Sequence, residues 1–189
     1  MNRSINEGYT GYQLKLNAAM NMLVSVYVDP EFPDDYIPGF VRAVSHRQVL
    51  LSTVSPYGQY DGYLAVRLAA ILTVLSEDDV AKRLKMLLAI HGEHPPAPIP
   101  VQDEEDLIHA LCREAKARNA VIMLMTANGD FVGFIDDLND IRVTLNTLDY
   151  FGRPIETVSI VLRDVDLASL DGDEERMMKL LCDHQDIQG

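Results

Sequence analysis

The sequence predicts an α+β, mainly β fold: two tandem, small five-stranded barrels, each with flanking helices. Three observations carry this reading. The stretch that begins at Gly39-Phe40-Val41 returns without a gap from Gly133-Phe134-Ile135, a step of 94 positions. The order helix, five short β-branched or aromatic segments, helix reads twice along the chain. Between the copies, Pro95, Pro96, Pro98 and Pro100 favour a stiff, extended polyproline segment. Residues 1–90 are therefore the first helix-plus-barrel unit, 91–102 a Pro-rich linker, and 103–189 the second helix-plus-barrel unit.

Each element follows from local chemistry. After a polar start, Thr10 can cap a short helix with Tyr12, Leu16, Ala19 and Met20 on its apolar face. Met22 to Val28 is β-branched and aromatic enough for a buried strand, which the loop from Asp29 to Asp35 ends with two prolines. Tyr36–Val44 and Gln48–Ser55 follow as strands around Ser45-His46-Arg47. Tyr63–Leu68 and Ile71–Leu75 then complete five strands, and so short a run of strands curls readily into a barrel. Ser76 and Asp79 form a capping box for a helix whose inner stripe is Val80, Leu84, Leu87 and Leu88, and Gly92 terminates it.

In the second copy, the acidic run Asp103-Glu104-Glu105-Asp106 starts a helix that stops near Asn119. Ala120–Thr126 and Phe131–Asp136 read as a hairpin across Asn128-Gly129, which supplies the positive φ angles of a primed turn. Ile141–Leu148, Glu156–Arg163 and Val165–Leu170 complete its five strands, and Asp173 begins the last helix.

Charge and composition narrow the function classes. The net charge is −13, with ten acidic and eight basic residues in 1–94 against nineteen and eight in 95–189. Nucleic-acid backbones are held by Lys and Arg, so the second half is poorly suited to polyanions. No apolar run approaches the ~18 residues that cross a bilayer, and Met1 to Glu7 lacks the apolar core of a secretory signal. These features predict a cytoplasmic protein with no membrane partner. Cys112 and Cys182 lack CxxC companions and read as packed thiols.

The helix and five strands of each copy, with Val49-Leu50-Leu51-Ser52-Thr53-Val54-Ser55-Pro56 and Asp61-Gly62-Tyr63 in the first, resemble the Sm-like small barrel. The chain looks like the uncharacterised tandem Sm-like proteins of lactic acid bacteria over most of residues 20–185. The resemblance implies RNA binding through an Asp and an Asn in the loop between the second and third strands, and an Arg-Gly near the fourth and fifth. This sequence departs there, with Ser45-His46-Arg47-Gln48 and Asp137-Leu138-Asn139-Asp140 in the loops, Arg67-Leu68-Ala69 and Leu162-Arg163-Asp164 later on.

Candidate contacts therefore come from residue chemistry. Arg42, His46, Arg47 and Arg67 are the cations of the less acidic half, while Tyr57, Tyr60 and Tyr63 around Gly58 and Gly62 can stack a base or grip a peptide. The rival reading makes the tyrosines a cover for the barrel end. His91-Gly92-Glu93-His94 lacks a rigid element for a tetrahedral metal site, and Asp136, Asp137 and Asp140 lack the glycine and distal glutamate of a calcium loop. His109 with Cys112 and Cys182 with His184 offer ligand atoms on two helices, for which packed thiols are the simpler reading. No nucleophile elbow, glycine-rich phosphate loop or HExxH is present. The expected function is a non-enzymatic interaction module without cofactor or metal, meeting a protein partner or a second copy of itself; the alternative is RNA binding through residues 1–90.

Overall fold

In the computed structural model, which describes residues 3–28, 36–102 and 105–188, the chain divides into Met1–Leu107 and Ile108–Gly189. The first unit holds α1 (Arg3–Ala19), β1 (Leu23–Tyr27), β2 (Ile37–Val44), β3 (Gln48–Val54), β4 (Tyr60–Arg67), a 3-10 turn (Leu68–Ala70), β5 (Thr73–Ser76) and α2 (Asp79–His91). Across it, β3 is buried at nearly every position, so both of its faces are covered, as its unbroken apolar run Val49-Leu50-Leu51 requires. Leu23, Phe40 and Val54 from the strands pack with Ala81, Leu84 and Leu88 of α2. Of the expected inner stripe of α2, Leu84 and Leu88 are buried and Val80 and Leu87 pack at the margin, while Ala81, not expected there, completes the buried face.

The second unit is built on α3 (Leu107–Arg118), β6 (Ile122–Thr126), β7 (Gly129–Leu138), β8 (Arg142–Leu148), β9 (Pro154–Val161), a 3-10 turn (Leu162–Asp164), β10 (Val165–Leu170) and α4 (Asp173–Gln188). β8 alternates between buried Val143, Leu145 and Thr147 and more exposed neighbours, the period-two signature of a strand with one covered face. The step of 94 holds in detail. A bulge between Val41 and Ala43 in β2 recurs between Ile135 and Asp137 in β7, and the left-handed Glu77 before α2 recurs as Asp171 before α4.

The strands do not close into the two expected small barrels. They lie in open antiparallel sheet, ordered β5-β1-β2-β3-β4 in the first unit and β10-β6-β7-β8-β9 in the second. β5 has four residues and ladders on β1, while β9 ladders on β8; among the described residues no ladder joins β5 to β4 or β10 to β9. Short alternating strands and tight turns serve an open sheet as well as a barrel. Closure depends on tilt and shear, which local patterning does not encode.

Three further expectations change. α1 buries Gly11, Leu14 and Asn17, and it exposes Tyr12, Leu16, Ala19 and Met20, the face expected to be its core. Asp78, not Ser76, caps α2, its carboxylate accepting from Ala81 N at 2.7 Å. In the β6–β7 hairpin the two loop residues are Ala127 and Asn128, because Thr126 pairs with Gly129. The expected prolyl loop from Asp29 to Asp35 and the acidic pair Asp103-Glu104 lie outside the described residues.

Candidate functional site

The seven residues proposed from sequence do not form one site. Arg42 is the extra residue of the β2 bulge, a distortion that re-aims a side chain. Its Nε donates to Ser52 Oγ at 2.8 Å, and its guanidinium lies 5.7 Å from the Phe40 ring centroid. Tyr60 stands beside it, 6.2 Å from Phe40 between centroids and hydrogen-bonded to Arg42. Burial pushes the Tyr60 phenol above its ordinary pKa, an effect that Arg42 opposes and Glu93 reinforces. Tyr63 is 3 % exposed and donates to the Ala97 carbonyl, so it fixes the Pro-rich segment in the first unit.

His46 and Arg47 sit exposed in the β2–β3 turn, where Ser45 Oγ accepts from the N–H groups of Arg47 and Gln48. Arg67 faces Gln48 across the ladder. Arg42 and Tyr60 therefore belong with the middle and far end of β3, and His46, Arg47 and Arg67 with its start. Six strand steps from Gln48 to Val54 separate the two ends by about 20 Å.

Tyr57 is different: it is 74 % exposed at the tip of the β3–β4 turn. The same turn in the second unit places Phe151 at the equivalent position, 59 % exposed, beside Tyr150 at 81 %. Its rigidity comes from Asp149, whose Oδ1 accepts from Phe151 N at 2.9 Å and Arg153 N at 2.8 Å while Oδ2 accepts from Arg153 Nε at 2.7 Å. Those bonds to Arg153 and the backbone hold the Asp149 carboxyl below its usual pKa. Tyr150 and Phe151 meet edge to face at 5.7 Å, and Arg153 stacks 5.0 Å from the Phe151 centroid. Gly152, at φ +77, lies against α4: an added Cβ would stand 3.0 Å from Leu181 Cβ, and Cys182 Sγ donates to the Gly152 carbonyl at 3.1 Å. Two exposed aromatic rings thus stand on a turn braced by Asp149 and packed against α4. The signal available in the sequence was the aromatic repeated beside a matched glycine, which duplication alone also preserves; exposure is what makes this turn a candidate.

Next to α4 lies a cavity of about 270 Å³ lined by Ala120, Val121, Asp171, Glu175, Arg176, Lys179 and Leu180. Glu175 is buried, and it accepts from Ser169 Oγ and from Gly172 N at 2.8 Å. Burial outweighs these bonds and raises its pKa above the ordinary value. A raised folded-state pKa means that the fold binds the proton more tightly than the unfolded chain does. Stability from this group is complete below the ordinary carboxylate pKa and lost as pH rises through the raised one. Denaturation midpoints of the native chain and Glu175→Gln, measured from about pH 4 to about pH 7, should show the native chain losing ground to the variant as pH rises; a constant difference would contradict this.

Cys112 is buried and Cys182 half-buried, both as free thiols. Among the described residues no group of three His, Cys, Asp or Glu side chains is placed to hold a metal ion, and no helix is long and apolar enough to cross a membrane. No family model, curated protein or solved structure matches the chain.

Proposed function

We propose that this chain is a non-catalytic protein-interaction module that meets its partner through the aromatic turn Asp149–Arg153. The observation that carries the reading is the exposed display of Tyr150 and Phe151 with Arg153 stacked on Phe151. Aromatic residues and arginine dominate interface energetics, and a pre-ordered loop gives up little entropy when it docks. The exposed stripe of α1, Tyr9, Tyr12, Leu16 and Met20, offers a second apolar surface in the first unit.

The test is a cross-linked pulldown from the native host, with the native chain and Tyr150→Ala/Phe151→Ala as baits and both protein and nucleic acid read out. Partner recovery should fall about tenfold with the double variant, while its denaturation midpoint stays near that of the native chain. Equal recovery would end the proposal.

A second reading, RNA binding by the first unit, is favoured by the two arginines and histidine gathered at the start of β3. It requires salt-sensitive retention of short oligoribonucleotides that Arg47→Ala weakens. Absence of binding at low salt would remove it.

A further inference from the structure

Resting on that reading, we infer that the partner segment seated on the second unit is a basic amphipathic helix. The aromatic turn abuts α4 through Gly152, and α4 carries Met177, Leu180 and Leu181 exposed on its outer side. In a helix these three positions fall within about 100° of arc, so they form one stripe. Turn and stripe together present a larger apolar surface than one loop does. Leu180 also lines the cavity, which gives a protruding apolar side chain of the partner a recess to enter.

The rim selects the sign of the partner's charge. The turn and α4 carry Asp149, Asp173, Glu174 and Asp183 as partly or fully exposed carboxylates, against three cations, Arg153, Arg176 and Lys179. Each of those cations already holds an aspartate: Arg153 binds Asp149, Arg176 binds Asp173 and Lys179 binds Asp183. The remaining charge is negative, as is the whole chain at −13, which disfavours a second copy of itself. An apolar stripe flanked by lysines or arginines complements both the grease and the charge.

The probe is a labelled peptide of about fourteen residues with leucine at helical spacing and lysine elsewhere, compared with its glutamate counterpart by fluorescence anisotropy on the full chain. The lysine peptide should bind, weaken with added salt, and bind about tenfold more weakly to Tyr150→Ala/Phe151→Ala and to Leu180→Ser, but not to Tyr57→Ala. Equal binding of both peptides, equal binding to all variants, or no binding at low salt overturns the inference. So does a concentration-dependent dimer, by sedimentation, that the double variant abolishes, because the occupant is then a second copy. If the pulldown loses its partner with the double variant while the lysine peptide fails to bind, the interaction reading stands and the basic helix falls. If the pulldown is unchanged, the interaction reading itself falls.

Discussion

Gly58→Ala should destabilise the first unit by about 3 kcal/mol or more. Gly58 has φ +73, where an L side chain pays about 1–2 kcal/mol, and its added Cβ would stand 2.2 Å from Leu87 Cβ and 3.2 Å from the Leu87 backbone. The methyl must push a packed helix away from the turn. Gly92, the left-handed cap of α2 at φ +66, is the control, since an added Cβ there meets nothing within 4 Å. Gly92→Ala should cost about 1 kcal/mol. Denaturant midpoints of the two variants separate strain from overlap, and equal losses would mean that the turn does not bear on α2.

The second large effect is expected at Gln48. Its side chain is buried, its Nε2 donates to Asp106 Oδ2 at 2.9 Å, and its Oε1 accepts from Leu107 N at 2.6 Å. One carboxamide thereby pins the end of the segment that follows the prolines. Gln48→Leu keeps the volume but leaves the buried Leu107 N–H without that acceptor and Asp106 without that donor. Each such loss costs about 1–3 kcal/mol, so a total of about 3 kcal/mol is expected in urea denaturation. Protease cleavage near residues 100–107 should rise in parallel. An unchanged midpoint would show that water replaces the amide.

Much of this architecture was legible because its signals are local. The bounds of α2 follow from acidic residues before Val80 and from Gly92 after His91, and the β2–β3 and β6–β7 pairings follow from the short polar turns at Ser45-His46-Arg47 and around Asn128. What was misread depends on longer reach. α1 carries apolar residues on two sides, and Asn17 interrupts the side that is buried, so periodicity pointed to Tyr12, Leu16 and Met20 instead. Barrel closure failed for the same reason, since nothing in Thr73–Ser76 states which strand it will meet.

The candidate site was legible in part. Repetition pairs Tyr57 with Phe151 beside Gly58 and Gly152, but a duplicated scaffold keeps such a pair for packing alone, so repetition pointed to scaffold and only exposure singles the turns out. Tyr63 looks identical to Tyr57 in sequence yet is consumed by the Ala97 carbonyl. Asp149, which organises the second turn, has Ser55 as its counterpart in the first, where Ser55 Oγ accepts from Gln59 N at 3.4 Å. No spacing rule marks that difference.

The bond from Cys182 Sγ to the Gly152 carbonyl gives the turn a built-in chemical clock. Cys182 is half-buried with its thiol on that carbonyl, so its labelling rate is expected to rise when the turn loosens from α4. Cys112, buried in α3, reacts only on deeper unfolding and times the whole unit on the same trace. The ratio of the two rates then distinguishes a ligand that clamps the aromatic turn from one that merely stabilises the fold.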